Sequence, residues 1–142
     1  MASIFSRIIA GDLPGHFLWR DDECVAFLSI NPHQPGHVLV VPVAEVDHWV
    51  DLPPATAAHL MRVAHYIGAA QLAEFSPPRI GLMIAGFEVP HTHVHVLPMF
   101  GIGDLDFANA ATDVDHEELA GIAARLRNRL TVAGFGDEVA AT

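Results

Sequence analysis

Apolar and polar positions change period several times along this 142-residue chain, and each change marks an element. Ile4, Phe5, Ile8 and Ile9 recur at helical spacing behind Ser3, a residue suited to capping, and Gly11 offers a stop, so a short N-terminal helix is expected. Phe17-Leu18-Trp19 and Cys24-Val25-Ala26-Phe27-Leu28 have the character of strands, with Asp21-Asp22-Glu23 as turn material between them, which predicts a hairpin. Asn31-Pro32-His33-Gln34-Pro35-Gly36 reads as loop. The β-branched run His37-Val38-Leu39-Val40-Val41 that follows is the clearest strand, ended by Pro42.

Behind Pro53-Pro54, the residues Leu60, Val63, Ala64, Ile67, Ala70 and Gln71 fall on one stripe, predicting a helix of about 20 residues that Pro77-Pro78 closes. Ile80 to Ile84 and His93 to Leu97 supply two more strands, separated by Ala85-Gly86-Phe87-Glu88-Val89-Pro90, and Pro98 stops the second. Asp113 to Leu130 forms a second amphipathic helix, with acidic residues early and Arg125, Arg127 and Arg129 late, as the helix dipole favours. Residues 134–142 read as a frayed tail after a single domain spanning 1–133. Strands followed by helices, with no repeat, predict an α+β fold: an antiparallel five-stranded sheet with helices packed on one side.

Composition narrows the function. With 51% apolar residues there is ample material for a core. Seven Lys and Arg against seventeen Asp and Glu leave a net charge of −10, which excludes a nucleic-acid partner, since that affinity rests largely on cationic side chains. Cys24 is the sole cysteine, so no internal disulfide forms, and a reducing cytoplasm is the natural compartment. The longest strongly apolar stretch, Val38 to Val43, falls far short of the roughly 20 residues a membrane span requires, so no membrane partner is expected. The N-terminal apolar run carries Arg7 within it and is too short for a signal-peptide core.

Histidine is the exception to this economy of basic groups. There are ten, and His91, His93 and His95 alternate. In a strand their rings project from one face while Thr92, Val94 and Val96 project from the other, giving one buried apolar face and one row of imidazoles. Rings with an unperturbed pKa of about 6.5 cannot all charge side by side, so some remain neutral and nucleophilic at pH 7. Two chemistries suit such a row. One is metal ligation, but His91 and His95 lie about 13 Å apart at roughly 3.3 Å per residue, too far for one ion to take all three, and a third ligand would have to come from elsewhere, with His37 a candidate. The other is nucleophilic attack on phosphorus, with imidazoles and backbone N–H groups supplying the donors that a charge-poor site otherwise lacks.

The second chemistry has a family likeness. His91-Thr92-His93-Val94-His95-Val96-Leu97 resembles the histidine-triad signature, with Thr92 the one soft match, and the likeness extends through Ile4 to Gly11, Pro35 to Pro42 and Ala85 to Pro90. The resemblance implies a hydrolase or transferase of nucleoside phosphoramidates, nucleotidyl esters or phosphoanhydrides, working in two steps without a cofactor. In it His93 attacks the α-phosphorus, His95 contacts phosphate or leaving group, His91 supports His93, and His37 joins the cluster from the neighbouring strand. Backbone N–H groups near Glu88 and Val89 hold phosphate oxygens, and a purine nucleoside lies against Ile4, Phe5, Ile8, Phe27 and Ile30, each of which is also an ordinary core candidate. A homodimer is implied as well.

This chain departs from the pattern in places. Ser29, with Asn31 nearby, stands where many members have an acidic or amide residue for the ribose. The loop before the triad is shortened, lacks an Asn, and has Phe87 in place of Gln. Ser3 and Ser6 replace an N-terminal cysteine pair that binds zinc in some relatives, and hydroxyls are poor substitutes, so no structural metal is expected. A nucleotide-binding module with little turnover is the alternative reading, and a His-ligated metal hydrolase the lesser one. His16, His33, His48 and His116 read as loop or helix-start residues, His59 and His65 as exposed or at a subunit contact, and Cys24 as a small core residue.

Overall fold

A computed structural model describes residues 1–142. Helix α1 (Ile4–Ile9) begins where Ser3 Oγ accepts the backbone N–H of Ser6. Strands β1 (Phe17–Arg20) and β2 (Cys24–Leu28) form the expected hairpin. Its turn is held by Asp21, whose Oδ1 accepts the N–H groups of Glu23 and Cys24. β3 (Val38–Pro42) follows, then helix α2 (Pro54–Phe75), β4 (Arg79–Met83), β5 (Val94–Met99) and helix α3 (His116–Leu130). The five strands pair antiparallel in the order β1-β2-β3-β5-β4, so β5 is inserted between β3 and β4.

Period-two alternation divides the strands between two cores. Cys24, Ala26, Leu28, Val38, Val40, Val94 and Val96 face α2 and α3, which bring Leu60, Val63, Ile67, Ile122, Leu126 and Leu130 to the same cluster. Val25, Phe27, Leu39 and Val41 face the opposite side and pack with Phe17 and with Phe5 of α1. The two long helices thus share one side of the sheet as expected, and the short α1 lies on the other. All six residues of the predicted α2 stripe are buried, including Gln71. Its amide Nε2 donates to the carbonyls of Gly36 and Val96 at 2.8 and 2.9 Å, tying the helix to the start of β3 and to β5. Gly36 itself has φ +91°, and a Cβ there would meet the Phe75 ring at 2.5 Å.

Three expectations are corrected. Residues 134–142 are not frayed: Arg20 N–H donates to Glu138 O at 2.9 Å, Ala140 N–H donates to Leu18 O at 3.2 Å, and Val139 bridges Trp19. β1 is an edge strand whose open backbone groups need partners, and the tail supplies them. Pro98 does not end its strand, because β3 reaches only to the level of Val96; beyond it β5 has β4 alone as neighbour, and Pro98 pairs with Ile80. His59 is not a free surface residue: its Nε2 lies 2.7 Å from Asp21 Oδ2, pinning α2 to the hairpin turn.

Candidate active site

Leu39 of β3 and His95 of β5 are cross-strand partners, so the His95 side chain emerges on the α1 face, while Val94 and Val96 on either side of it enter the larger core. His93 and His91 precede the ladder. There the chain is held by Thr92, whose N–H and Oγ1 both donate to Val46 O, at 2.7 and 2.8 Å. The strand reading from His93 onward is therefore one residue too long, yet the rings still gather: Phe5 meets His91 and His93 edge-on at 5.9 and 5.0 Å, and His93 and His95 lie 5.0 Å apart.

The imidazole face is buried, contrary to expectation. His37, His91, His93 and His95 are between 0% and 5% exposed. Phe5 packs on His93, Phe107 on His95 and His33 on His37, and the side chain of Glu88 lies with Oε2 3.4 Å from His93 Nε2 and Oε1 3.8 Å from His95 Nε2. Glu88 is itself 37% exposed, on a loop. Two clefts of about 280 and 200 Å3 lie elsewhere, and His93 lines neither. The partly exposed Glu88 carboxylate stands directly over the buried His93 Nε2.

Hydrogen bonds to backbone groups fix the protons on these rings. The N–H of His33 donates to His37 Nδ1 at 3.1 Å, so the His37 proton sits on Nε2 and is donated to His95 Nδ1 at 2.9 Å. His95 must then carry its own proton on Nε2, which has no partner within hydrogen-bond distance and is aimed at the space Glu88 fills. His93 is arranged the other way. Its Nδ1 donates to His91 O at 2.8 Å, so in the neutral ring Nε2 is the nitrogen that offers the lone pair. His91 donates from Nε2 to Pro42 O at 2.7 Å and accepts from Ser3 Oγ at Nδ1, also at 2.7 Å. Burial pushes the His37 pKa down to about 3 and His95 to about 4, with the neighbouring histidines adding to it, and lowers that of His91 in the same direction. His37, His91 and His95 are neutral at pH 7.

Behind His91 stands a second network. Glu45 Oε1 accepts Ser3 N–H at 2.6 Å and Ser6 Oγ–H at 2.7 Å, bonds that hold the Glu45 carboxyl below its usual range. Ser3 and Ser6 thus spend their hydroxyls on Glu45 and His91, a set of hard, hydrogen-bonded donors ill suited to zinc. The trio Glu88, His93 and His95 converges closely enough to suggest a cation site, but His95 Nε2 bears a proton and only two ligand atoms remain. The donor set does not support a three-ligand metal hydrolase.

The other predicted site residues are distributed around this cluster. Phe5, Phe27, Ile8 and Val89 belong to the small core or pack against it, while Ile4 and Ile30 are exposed. Ser29 is buried and its Oγ accepts Asn31 N–H, and Asn31 Nδ2 donates to Ala111 O. The backbone N–H groups of Glu88 and Val89 donate to no protein acceptor. The sequence reading overlooked His33, which is buried, donates from Nδ1 to Asp104 O at 2.7 Å and lies edge-on to His37 at 4.7 Å. Its position four residues before His37, across a Pro-Gly turn, was a usable signal. Phe107, which meets His95 edge-on at 5.5 Å, and Glu45 left none.

Comparison with known proteins agrees with this geometry. Residues 10–102 match the model of the HIT domain. The protein hit of Bacillus subtilis is 32% identical, over 89% of this chain and 93% of its own. Adenylylsulfatase HINT3 of Arabidopsis thaliana is 29% identical over 67% of this chain, which spans about half of that protein. The crystal structure of a zinc-bound histidine triad family protein from Mycobacterium smegmatis superposes with a TM-score of 0.79 at 27% identity, covering 94% of this chain and 96% of that one. With the paired His93 and His95 at its centre and two thirds of its length inside the family model, the chain belongs to the histidine-triad (HIT) family.

Proposed function

We propose that this protein is a nucleotidyl hydrolase or transferase that works through a covalent intermediate on His93. The observation that carries the reading is the opposed orientation of two adjacent rings: His93 spends Nδ1 on a carbonyl and keeps Nε2 as the lone-pair nitrogen of its neutral form, while His95 carries its N–H on Nε2, and both Nε2 atoms point to the Glu88 carboxylate. An anion already sits where a phosphate would sit. Once Glu88 has swung aside, His93 Nε2 forms a bond to the α-phosphorus, the bond to the leaving group breaks with its electron pair, and the leaving group takes up a proton from solvent. The phosphorylated imidazole carries positive charge, which the carbonyl of His91 stabilises through the Nδ1–H bond. His95 Nε2–H and the unpartnered N–H groups of Glu88 and Val89 are the available donors for the phosphate oxygens. Water then attacks phosphorus, the Nε2–P bond breaks, and a proton is released to solvent.

A purine nucleotide against Phe5 and the apolar residues of α1 is the substrate class we favour. The action of HINT3, by its name a sulfatase of adenylyl sulfate, supports adenylyl transfer chemistry in the family. We further infer a homodimer in the cytoplasm. What supports the dimer is the free edge of β4, beside a groove lined by Trp49, Met61 and Leu82, which are partly exposed. No helix is long and apolar enough to cross a membrane.

The test is a burst experiment with an adenosine phosphoramidate, scored by amine release and by a mass increase on His93. The covering of His93 by Glu88 favours a second reading, a binding module with little turnover. Nucleotide binding with neither amine release nor adduct would establish that reading instead.

A further inference from the structure

Glu88 has a consequence for substrate choice that follows from where its charge lies, and it rests on the phosphoryl-transfer reading above. Its carboxylate covers His93 Nε2 at 3.4 Å and His95 Nε2 at 3.8 Å from the solvent side. In-line displacement places the leaving group opposite the attacking atom. A line from His93 Nε2 through phosphorus therefore runs outward toward the loop that carries Glu88. No arginine lies within ion-pairing distance of that carboxylate. The chain has seven arginines and no lysine. Arg125 and Arg129 pair with Glu74, Arg127 donates to Phe17 O, and Arg20 donates to Ile9 O and Thr142 O. Arg79 stands opposite Met99, four residues along β5 from His95. Among ionic groups, Glu88 is within pairing distance of His93 and His95 alone.

We propose that Glu88 is a specificity-determining residue that selects by the charge of the leaving group: it admits neutral or cationic leaving groups, amines above all, and rejects anionic ones such as sulfate or a further phosphate. The carboxylate is displaced by the α-phosphate but stays tethered at the rim, where an incoming second anion meets it at short range. Like charges a few ångströms apart in a partly desolvated site repel strongly, enough to discriminate on the order of ten- to a hundred-fold. The neighbouring Phe87, almost fully exposed, brings no compensating charge.

The experiment compares kcat/KM for two adenylyl substrates, an adenosine 5′-phosphoramidate of an aliphatic amine and adenosine 5′-phosphosulfate, in the wild-type protein, Glu88→Gln and Glu88→Asp. The wild-type protein and Glu88→Asp are expected to favour the amidate. Glu88→Gln is expected to raise the phosphosulfate rate relative to the amidate by roughly ten- to a hundred-fold. An unchanged ratio in Glu88→Gln, or the same shift in Glu88→Asp, overturns the proposal, since the first removes the role of charge and the second replaces it with size. Calorimetric binding of AMP and ADP is a readout independent of turnover: Glu88→Gln is expected to tighten ADP more than AMP, and equal effects overturn the proposal. Failure of the wild-type protein to turn over either substrate defeats the hydrolase reading, while the AMP and ADP affinities still decide the role of Glu88.

Discussion

His37 Nε2 lies 2.9 Å from His95 Nδ1, and because the N–H of His33 occupies the other nitrogen of His37, the proton between the two rings belongs to His37. One backbone N–H thereby sets the protonation of His95 two rings away. Replacing His37 by Phe removes this control, leaving His95 free to place its proton on either nitrogen. The expected outcome is a fall in kcat of roughly 10- to 100-fold with KM for the nucleotide substrate changed far less, because the donor at His95 Nε2 is needed most in the transition state. Equal loss in KM and none in kcat would show that His37 serves binding alone.

The same burial makes the fold sensitive to acid. His37 and His95 have folded-state pKa values of about 3 and about 4, below the ordinary 6.5, so the folded form resists protonation that the unfolded chain accepts. Their contribution is fully present above pH 6.5 and is lost as pH falls toward 4. Each group contributes a slope of up to about 1.4 kcal/mol per pH unit in that window, so the pair together contributes about 3 at most. Urea unfolding at half-unit steps from pH 7.5 to 4.5 measures it. A flat profile between pH 6 and 4.5 contradicts the burial of these rings, and His37→Phe should make the slope shallower.

His93 is predicted to matter for chemistry and little for affinity. His93→Ala is expected to lower turnover of an adenosine phosphoramidate by roughly 10³-fold or more, abolish the adduct, and leave AMP affinity within a small factor. Near-normal turnover in that variant would transfer the nucleophile's role elsewhere. Loss of AMP binding with retained fold would place the ring in the ground-state site.

The parts of this molecule visible in the sequence are those governed by a local period. Alternation in β2 and β3 sends Ala26 and Val40 to one core and Phe27 and Leu39 to the other, and the α2 stripe is buried at every named position. The gathering of His91, His93 and His95 was likewise legible from their spacing. What escaped depends on partners distant in the chain. Ser3 and His91 are 88 residues apart, His33 and Asp104 are 71 apart, and neither pairing leaves a periodic trace. The burial of the imidazole face follows from Phe5, His33, Glu88 and Phe107 converging on it from separate parts of the chain, and the ordering of the tail from an edge strand that needed backbone partners; both are tertiary events.

Ser3 joins the helix cap to the site, and its removal should be costlier than a surface serine's. Its Oγ accepts Ser6 N–H at the start of α1 and donates to His91 Nδ1, a buried ring nitrogen. Ser3→Ala removes an N-cap, worth about 1 kcal/mol, and leaves that nitrogen only the long 3.5 Å contact to Ser6 Oγ, at a further cost of about 1–3 kcal/mol. Ser6→Ala removes one exposed bond to Glu45 and is expected to cost under about 1 kcal/mol. The effect also reaches the chemistry, because α1 carries Phe5, which rests edge-on against His93 at 5.0 Å. Ser3→Ala should therefore lower kcat several-fold as well as stability, while Ser6→Ala leaves kcat nearly intact. Denaturant unfolding and steady-state rates on the two variants separate these outcomes. Equal destabilisation by both substitutions would mean that the Ser3–His91 bond contributes nothing beyond the cap.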